Sequence, residues 1–150
     1  MRENFSKGIR RILKLAKEES IRLSHSYVGS EHLLLGIIKD NKGKACLMLK
    51  SIGVNVDDMK LSIEELVKPS SANSGTFSLG GHSPLTRRAD RILRLSFNES
   101  KKLNQELASQ PHLLLALSKE REGVANQVLS SYSIDYEILL SFINSSSQSS

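Results

Sequence analysis

One cysteine and no tryptophan occur among 150 residues, and these scarcities narrow the classes of protein the chain can belong to. Cys46 stands alone, so neither an internal disulfide nor a cysteine-built zinc cluster can form. Aromatic residues make up 5% of the chain, too few for base-stacking platforms of the kind that read single-stranded nucleic acid. The longest apolar run, Leu33 to Ile38, holds six residues with Gly36 inside it. A bilayer-spanning helix needs about 20. Met1-Arg2-Glu3-Asn4 leads straight into a charged, periodic segment and leaves no room for a signal-peptide apolar core. No G-x-x-x-x-G-K-[ST] string is present, so the chain lacks the usual phosphate loop of a nucleotide-driven motor. The expectation is a cytoplasmic domain with no membrane contact.

What is present is ordinary globular material. Hydrophobic residues make up 39% and charged residues 25%, enough for one domain with a buried core. The net charge of +5 gives modest attraction to anionic partners and says nothing about fold.

The chain repeats itself. Shifting it by 80 residues superposes positions 6–54 on 86–134 without a gap, and 16 of those 49 positions are identical. Ile12-Leu13 falls on Ile92-Leu93, Glu19-Ser20 on Glu99-Ser100, and His32-Leu33-Leu34-Leu35 on His112-Leu113-Leu114-Leu115. Such self-similarity marks a duplicated structural unit.

Each unit reads as four helices and no strand. In the first, Phe5, Ile9, Ile12, Leu13, Ala16, Ser20 and Leu23 recur at helical spacing, opposed by Lys7, Arg10, Arg11, Lys14 and Lys17. Ser30 is the expected N-cap of a short, almost wholly apolar helix from Glu31 to Lys39. A third helix runs from Ala45 to Ser51 and stops at Gly53; Asn55 or Asp57 caps a fourth. The second unit predicts helices from Leu85 to about Asn104, Pro111 to Lys119, Val124 to Ser131 and Asp135 to Ile143. Pro111 stands where the first unit has Glu31, a first-turn position that tolerates proline. The domain plan is therefore 4–67 for the first repeat, 68–84 for a flexible Ser/Gly/Pro linker and 85–143 for the second repeat. Residues 144–150 form a disordered polar tail that reads as the start of a further linker.

The string Val28-Gly29-Ser30-Glu31-His32-Leu33-Leu34-Leu35-Gly36-Ile37, followed by Gly43-Lys44-Ala45 and Leu49-Lys50-Ser51-Ile52-Gly53-Val54, resembles the Clp N-terminal repeat domain. Within that family it is most similar to the ClpC branch of AAA+ unfoldases, and the likeness covers about residues 4 to 143. The resemblance implies an all-α fold of two pseudo-symmetric four-helix repeats. It also implies a role in recognising client proteins or MecA-like adaptors and handing them to a hexameric ATPase ring, often paired with a ClpP-type peptidase. On this reading the segment is not itself an enzyme and needs no cofactor, ATP and magnesium belonging to ATPase modules outside it. The isolated domain is expected to be a monomer, with no metal and no nucleic acid bound.

Some ClpC-type N-terminal domains bind phosphorylated arginine on clients, using a hydroxyl at the start of each repeat's first helix and a glutamate at the start of its second. The residues that match are Ser6 and Glu31 in the first repeat and Thr86 in the second, where Pro111 replaces the carboxylate. Hydroxyls and helix-start N–H groups suit a phosphate, and a carboxylate suits a guanidinium. The alternative is that Ser6 and Glu31 only cap and charge their helices. His32 and His112 precede leucine triplets without accompanying ligands and read as structural histidines at the repeat junction; His25 and His82 lie in loops. Lys7, Arg10, Arg11, Lys14, Arg87, Arg88, Arg91 and Arg94 form basic faces, either solvated or offered to an adaptor. A stand-alone regulatory or nucleic-acid-binding module using those faces is the competing reading, and it demands binding that collapses steeply with salt. Cys46, flanked by Ala45 and Leu47, reads as a buried thiol rather than a nucleophile.

Overall fold

The computed structural model describes residues 4–67 and 84–148. Eight helices occur among them: α1 (Lys7–Arg22), α2 (Ser30–Lys39), α3 (Lys44–Ile52), α4 (Val56–Leu66), α5 (Arg87–Lys102), α6 (Gln110–Lys119), α7 (Val124–Ser131) and α8 (Tyr136–Gln148). The expected linker, apart from Pro84, lies outside the described residues.

The apolar spacing decides how these helices pack. α2 and α6 are apolar nearly all round and become the two central rods, with Leu33, Leu34, Leu113, Leu114 and Leu115 fully buried. α2 touches α1, α4, α5, α6 and α7, so one core serves both repeats. The amphipathic α1 and α5 lie outside α2 and α6 respectively, burying Ile9, Ile12 and Ala16 in one case and Ala89, Ile92 and Leu93 in the other.

The 80-residue shift is visible in the backbone. Ser24 and Asn104, which end the first helix of each repeat, both take left-handed φ values, 62° and 61°. Gly53 and its counterpart Ser133 do the same after α3 and α7, at 112° and 61°. The repeats are joined crosswise by two isolated parallel bridges, Phe5 with Ala108 and Val28 with Leu85. The shift converts one bridge into the other. The Ser6 N–H donates to the Ala108 carbonyl at 2.9 Å, and the Thr86 N–H to the Val28 carbonyl at 2.9 Å.

Three boundaries differ from the sequence reading. Ser30 is the first residue of α2 rather than its cap; Gly29 is the cap, and its N–H is taken by His32 Nδ1 at 2.9 Å. Ser30 is spent elsewhere, its Oγ accepting the Ala125 N–H of the other repeat at 3.4 Å. Pro84 belongs to the inter-repeat bridge, since its carbonyl accepts the Val28 N–H. The tail expected from Asn144 instead continues α8 to Gln148. Phe142 and Ile143 pack onto the core just before it, and propagating an existing helix is far easier than starting one.

Candidate functional site

The α1–α2 hairpin is antiparallel, so its two proposed site residues fall at opposite ends. At one end Ser6 caps α1, its Oγ accepting the Ile9 N–H at 3.3 Å, and Arg11 Nε meets the Asp40 carboxylate beyond the end of α2 at 3.0 Å. At the other end lie the α1 C-terminus, Tyr27 and Glu31, where the Tyr27 hydroxyl donates to Glu31 Oε2 at 3.4 Å. The structure does not bring Ser6 and Glu31 together. The crossed bridges supply different partners: Ser6 sits beside Ala108 at the start of α6, while Thr86 sits beside Val28 at the start of α2, one turn before Glu31.

Two pseudo-equivalent clefts result, each made from three helix N-termini, and side-chain size makes them unlike. In the cleft of α1, α3 and α6, Gln110 acts as a plug. Its Oε1 accepts the Ala45 N–H at 3.1 Å, and its Nε2 donates to the Gly8 carbonyl at 3.1 Å and to Asp40 Oδ2 at 2.8 Å. Pro111 follows it where the first repeat has Glu31, and the carboxylate beside Gln110, Asp40, is already held by Gln110 and Arg11. In the cleft of α5, α7 and α2, the corresponding residue is the small Ser30, and Arg88 reaches in where the other repeat has Gly8. Arg88 lies against the Gly123 Cα and within 3.6 Å of Glu122, yet its Nε is buried and makes no hydrogen bond. Thr86 caps α5 through the Ala89 N–H at 3.0 Å. Glu31 is 8% exposed. Its carboxylate, together with burial, pushes the Tyr27 phenol up, burial being the larger cause. Glu31 thus follows by one turn the residue that the start of α5 bridges, an arrangement formed between the repeats. The sequence reading missed this pairing because it matched residues within a repeat.

The histidines are structural, as their places before the leucine triplets imply. His32 Nδ1 accepts the Gly29 N–H, which puts the His32 proton on Nε2, 2.7 Å from His25 Nδ1. His25 then carries its own proton on Nε2, facing the Val67 carbonyl at 3.1 Å. These tautomers follow from the hydrogen-bond network. Burial, and secondarily His25, depresses the His32 pKa to about 4. His112 takes the Ser109 N–H in the same way, and burial lowers it too, against an opposing pull from Glu99. Among the described residues no group of three or more histidine, cysteine, aspartate or glutamate side chains could hold a metal ion. Cys46 is fully buried, and burial raises its thiol further from reactivity.

The basic faces divide. Arg11 is tied to Asp40, Arg91 to Glu120, Arg94 to Asp90 and Arg88 to Glu122. Lys7, Arg10, Lys14 and Arg87 are exposed and have no ion pair among the described residues.

Glu99 is a buried acid that spacing alone did not mark. Tyr136 donates to it at 2.5 Å, Lys119 at 3.1 Å and Lys102 at 3.2 Å. Burial would raise its pKa, but these three donors outweigh burial and hold the carboxyl below its usual range. In return burial and Glu99 push Tyr136 up to about 12. Glu99→Gln is expected to cost about 1–2 kcal/mol in urea unfolding, because both lysines lose a charged acceptor while the tyrosine keeps a neutral one. Glu122→Gln, at an 84% exposed side chain, should move stability by less than about 0.5 kcal/mol. Equal losses in the two variants would show that Glu99 behaves as a surface charge.

The fold is a duplicated four-helix unit joined by crossed bridges, with clefts built from helix starts, and function on such a fold is argued from its sites rather than from the architecture. The family follows from comparison: the model for the Clp repeat (R) N-terminal domain matches residues 4–147, and the chain belongs to that family. The ClpA homolog of Guillardia theta, named an ATP-dependent Clp protease ATP-binding subunit, is 38% identical over 135 residues, 90% of this chain and 16% of the relative. The chloroplastic chaperone ClpC1 of Oryza sativa subsp. japonica is likewise 38% identical over 135 residues, covering 90% of this chain and 14% of the relative. The chain thus spans about one-seventh of the length of these curated relatives. The fold matches the N-terminal domain of ClpD from Arabidopsis thaliana, with a TM-score of 0.75 and 17% identity over 97% of this chain and 96% of that one. It also matches the N-domain of ClpV from Vibrio cholerae, with a TM-score of 0.75 and 20% identity over 91% and 81%. No helix among the described residues is long and apolar enough to cross a membrane.

Proposed function

We propose that this domain recruits client proteins and adaptors to a ClpC-like ATP-driven unfolding ring in the cytoplasm, and that one of its docking points reads phosphorylated arginine. The observation that carries the second part is the crossed bridge that sets Thr86 and the start of α5 beside Val28, one turn before Glu31. The phosphoryl group would lie on the α5 N-terminal amides with Arg88, and the guanidinium on Glu31. Each charge-assisted hydrogen bond there contributes about 1.5–3 kcal/mol. The matching cleft on Ser6 is filled by Gln110, and Pro111 stands where the other has Glu31, which supports one site per chain. Unfolded segments have a separate place, a groove of about 410 Å³ between the repeats lined by Lys44, Leu47, Met48, Pro111, Phe142 and Ile143. Leu47, 48% exposed, is its apolar lip. Hand-over to a ring and a ClpP-type peptidase completes the reading; MecA-like adaptors are the partners expected of it.

Calorimetric titration with free phosphoarginine tests the site. Saturable heat near one equivalent is expected, absent with arginine, abolished by Glu31→Gln and retained in Ser6→Ala. Silence at millimolar phosphoarginine, or binding that Ser6→Ala removes and Glu31→Gln does not, would overturn the assignment.

A further inference from the structure

The outer face of α1 carries Lys7, Arg10, Lys14 and Lys17 at intervals of three, four and three residues, one straight stripe about 15 Å long. All four are exposed, and none pairs with an acid among the described residues. The same stripe on α5 reads Arg87, Asp90, Arg94 and Phe97. There Asp90 and Arg94 neutralise each other at 2.9 Å, and Phe97 lies under Lys101. One copy of a duplicated helix has a mixed, self-satisfied surface; the other holds a uniform row of four cations, with the exposed Glu18 beside its C-terminal end.

That uniformity works against the fold. Lys7–Arg10, Arg10–Lys14 and Lys14–Lys17 are like-charge neighbours, which destabilise a helix. Lys7 and Arg10 also stand at the positive end of the helix dipole, with no acid in the first turn of α1, whereas α5 has Asp90 there. The row therefore costs the helix a little rather than supporting it.

We infer that the Lys7–Arg10–Lys14–Lys17 stripe is a docking rail for an acidic helix of a protein partner, one with carboxylates at every third or fourth residue. The inference rests on the recruiting role proposed above and deepens it by naming the partner's chemistry. A helical partner matches the periodicity of the stripe. A nucleic acid has no cause to follow it, and no aromatic side chain accompanies these four cations to stack on bases. Each exposed pair is weak alone; the row acts as an array that speeds and orients encounter.

The test uses the 150-residue chain and an alanine-based helical peptide bearing four glutamates at the same spacing, with a scrambled peptide of equal charge as control. Fluorescence anisotropy at low salt should show the spaced peptide binding more tightly than the scrambled one. Arg10→Glu/Lys14→Glu should weaken it by about tenfold or more, while Arg87→Glu/Arg121→Glu, which changes net charge equally, should alter it by less than about twofold. Thermal unfolding of the α1 variant should match or exceed the parent, separating lost docking from lost folding. Equal binding of the two peptides, equal losses in the two variants, no binding at millimolar peptide, or tighter binding of a single-stranded oligonucleotide would each overturn the rail. None of these outcomes bears on the phosphoarginine titration, which reads a different cleft.

Discussion

Gly36→Val should lower the unfolding free energy by about 3 kcal/mol or more, measured by urea denaturation, and Gly36→Ala by about 1–2 kcal/mol. A Cβ at Gly36 would lie 2.8 Å from the Ile12 carbonyl oxygen and 3.2 Å from the Ala16 N, both backbone atoms of α1 that cannot rotate away. Accommodation requires moving one helix off the other, and this contact anchors the hairpin that positions Glu31. The gain in helix propensity on replacing glycine by alanine, about 1 kcal/mol, offsets part of the clash in the smaller variant and explains the gap between the two. Its counterpart in the second repeat is Ala116, fully buried, so the α5–α6 pair already tolerates a methyl group there. Ala116→Gly should therefore cost only about 1 kcal/mol. If Gly36→Ala proved as stable as the parent, the close helix approach would not be a stabilising feature of the fold.

Acidification from pH 6.5 to 4 should remove about 3 kcal/mol of stability, most of it through His32. The unfolded imidazole takes a proton near pH 6.5, whereas the folded one resists until about pH 4. Between those values the unfolded chain binds more protons, so stability is complete above the upper value and falls as pH drops through the window. Protonation has nowhere to go in the folded state, because His32 Nδ1 already faces the Gly29 N–H and Nε2 already donates to His25. His112 adds to the loss in the same direction. Glu99, with its depressed pKa, adds its own only below the ordinary carboxyl range. His32→Asn, whose amide oxygen can still accept the Gly29 N–H, should flatten the profile between pH 6.5 and 4.5. A variant whose melting curve tracks the parent at every pH would assign the acid sensitivity elsewhere.

Much of this molecule is readable from its letters. The 80-residue self-match and the leucine triplets mark two copies of one helical unit, with α2 and α6 as core, and of the two cap candidates for α4 it is Asn55 that accepts the Asp58 N–H. What escapes the sequence is the relation between the copies. Nothing local to Ser6, Glu31 or Thr86 says which hydroxyl meets which carboxylate; two backbone bridges between residues about 57 and 103 positions apart decide it. Ser30 illustrates the same limit. As a helix-start serine it is the natural cap, but a glycine with a histidine acceptor took that place, and the hydroxyl serves the other repeat. Glu19 and Glu99 were hidden for a related reason: they sit on the buried side of charged helices and are held by bases three residues on, Arg22 and Lys102.

The crossed bridges bear on the symmetry of such a domain. A single unit, alone, would expose both its leading segment and the edge before its second helix, each with an unpaired amide and carbonyl. A second copy facing it satisfies both at once, through two contacts related by a two-fold axis, the geometry of a self-complementary dimer. The approximate symmetry of the present chain is thus that of a self-complementary pair carried within one polypeptide. Within that pair the two clefts differ, since Gln110 closes one while Ser30 and Arg88 line the other.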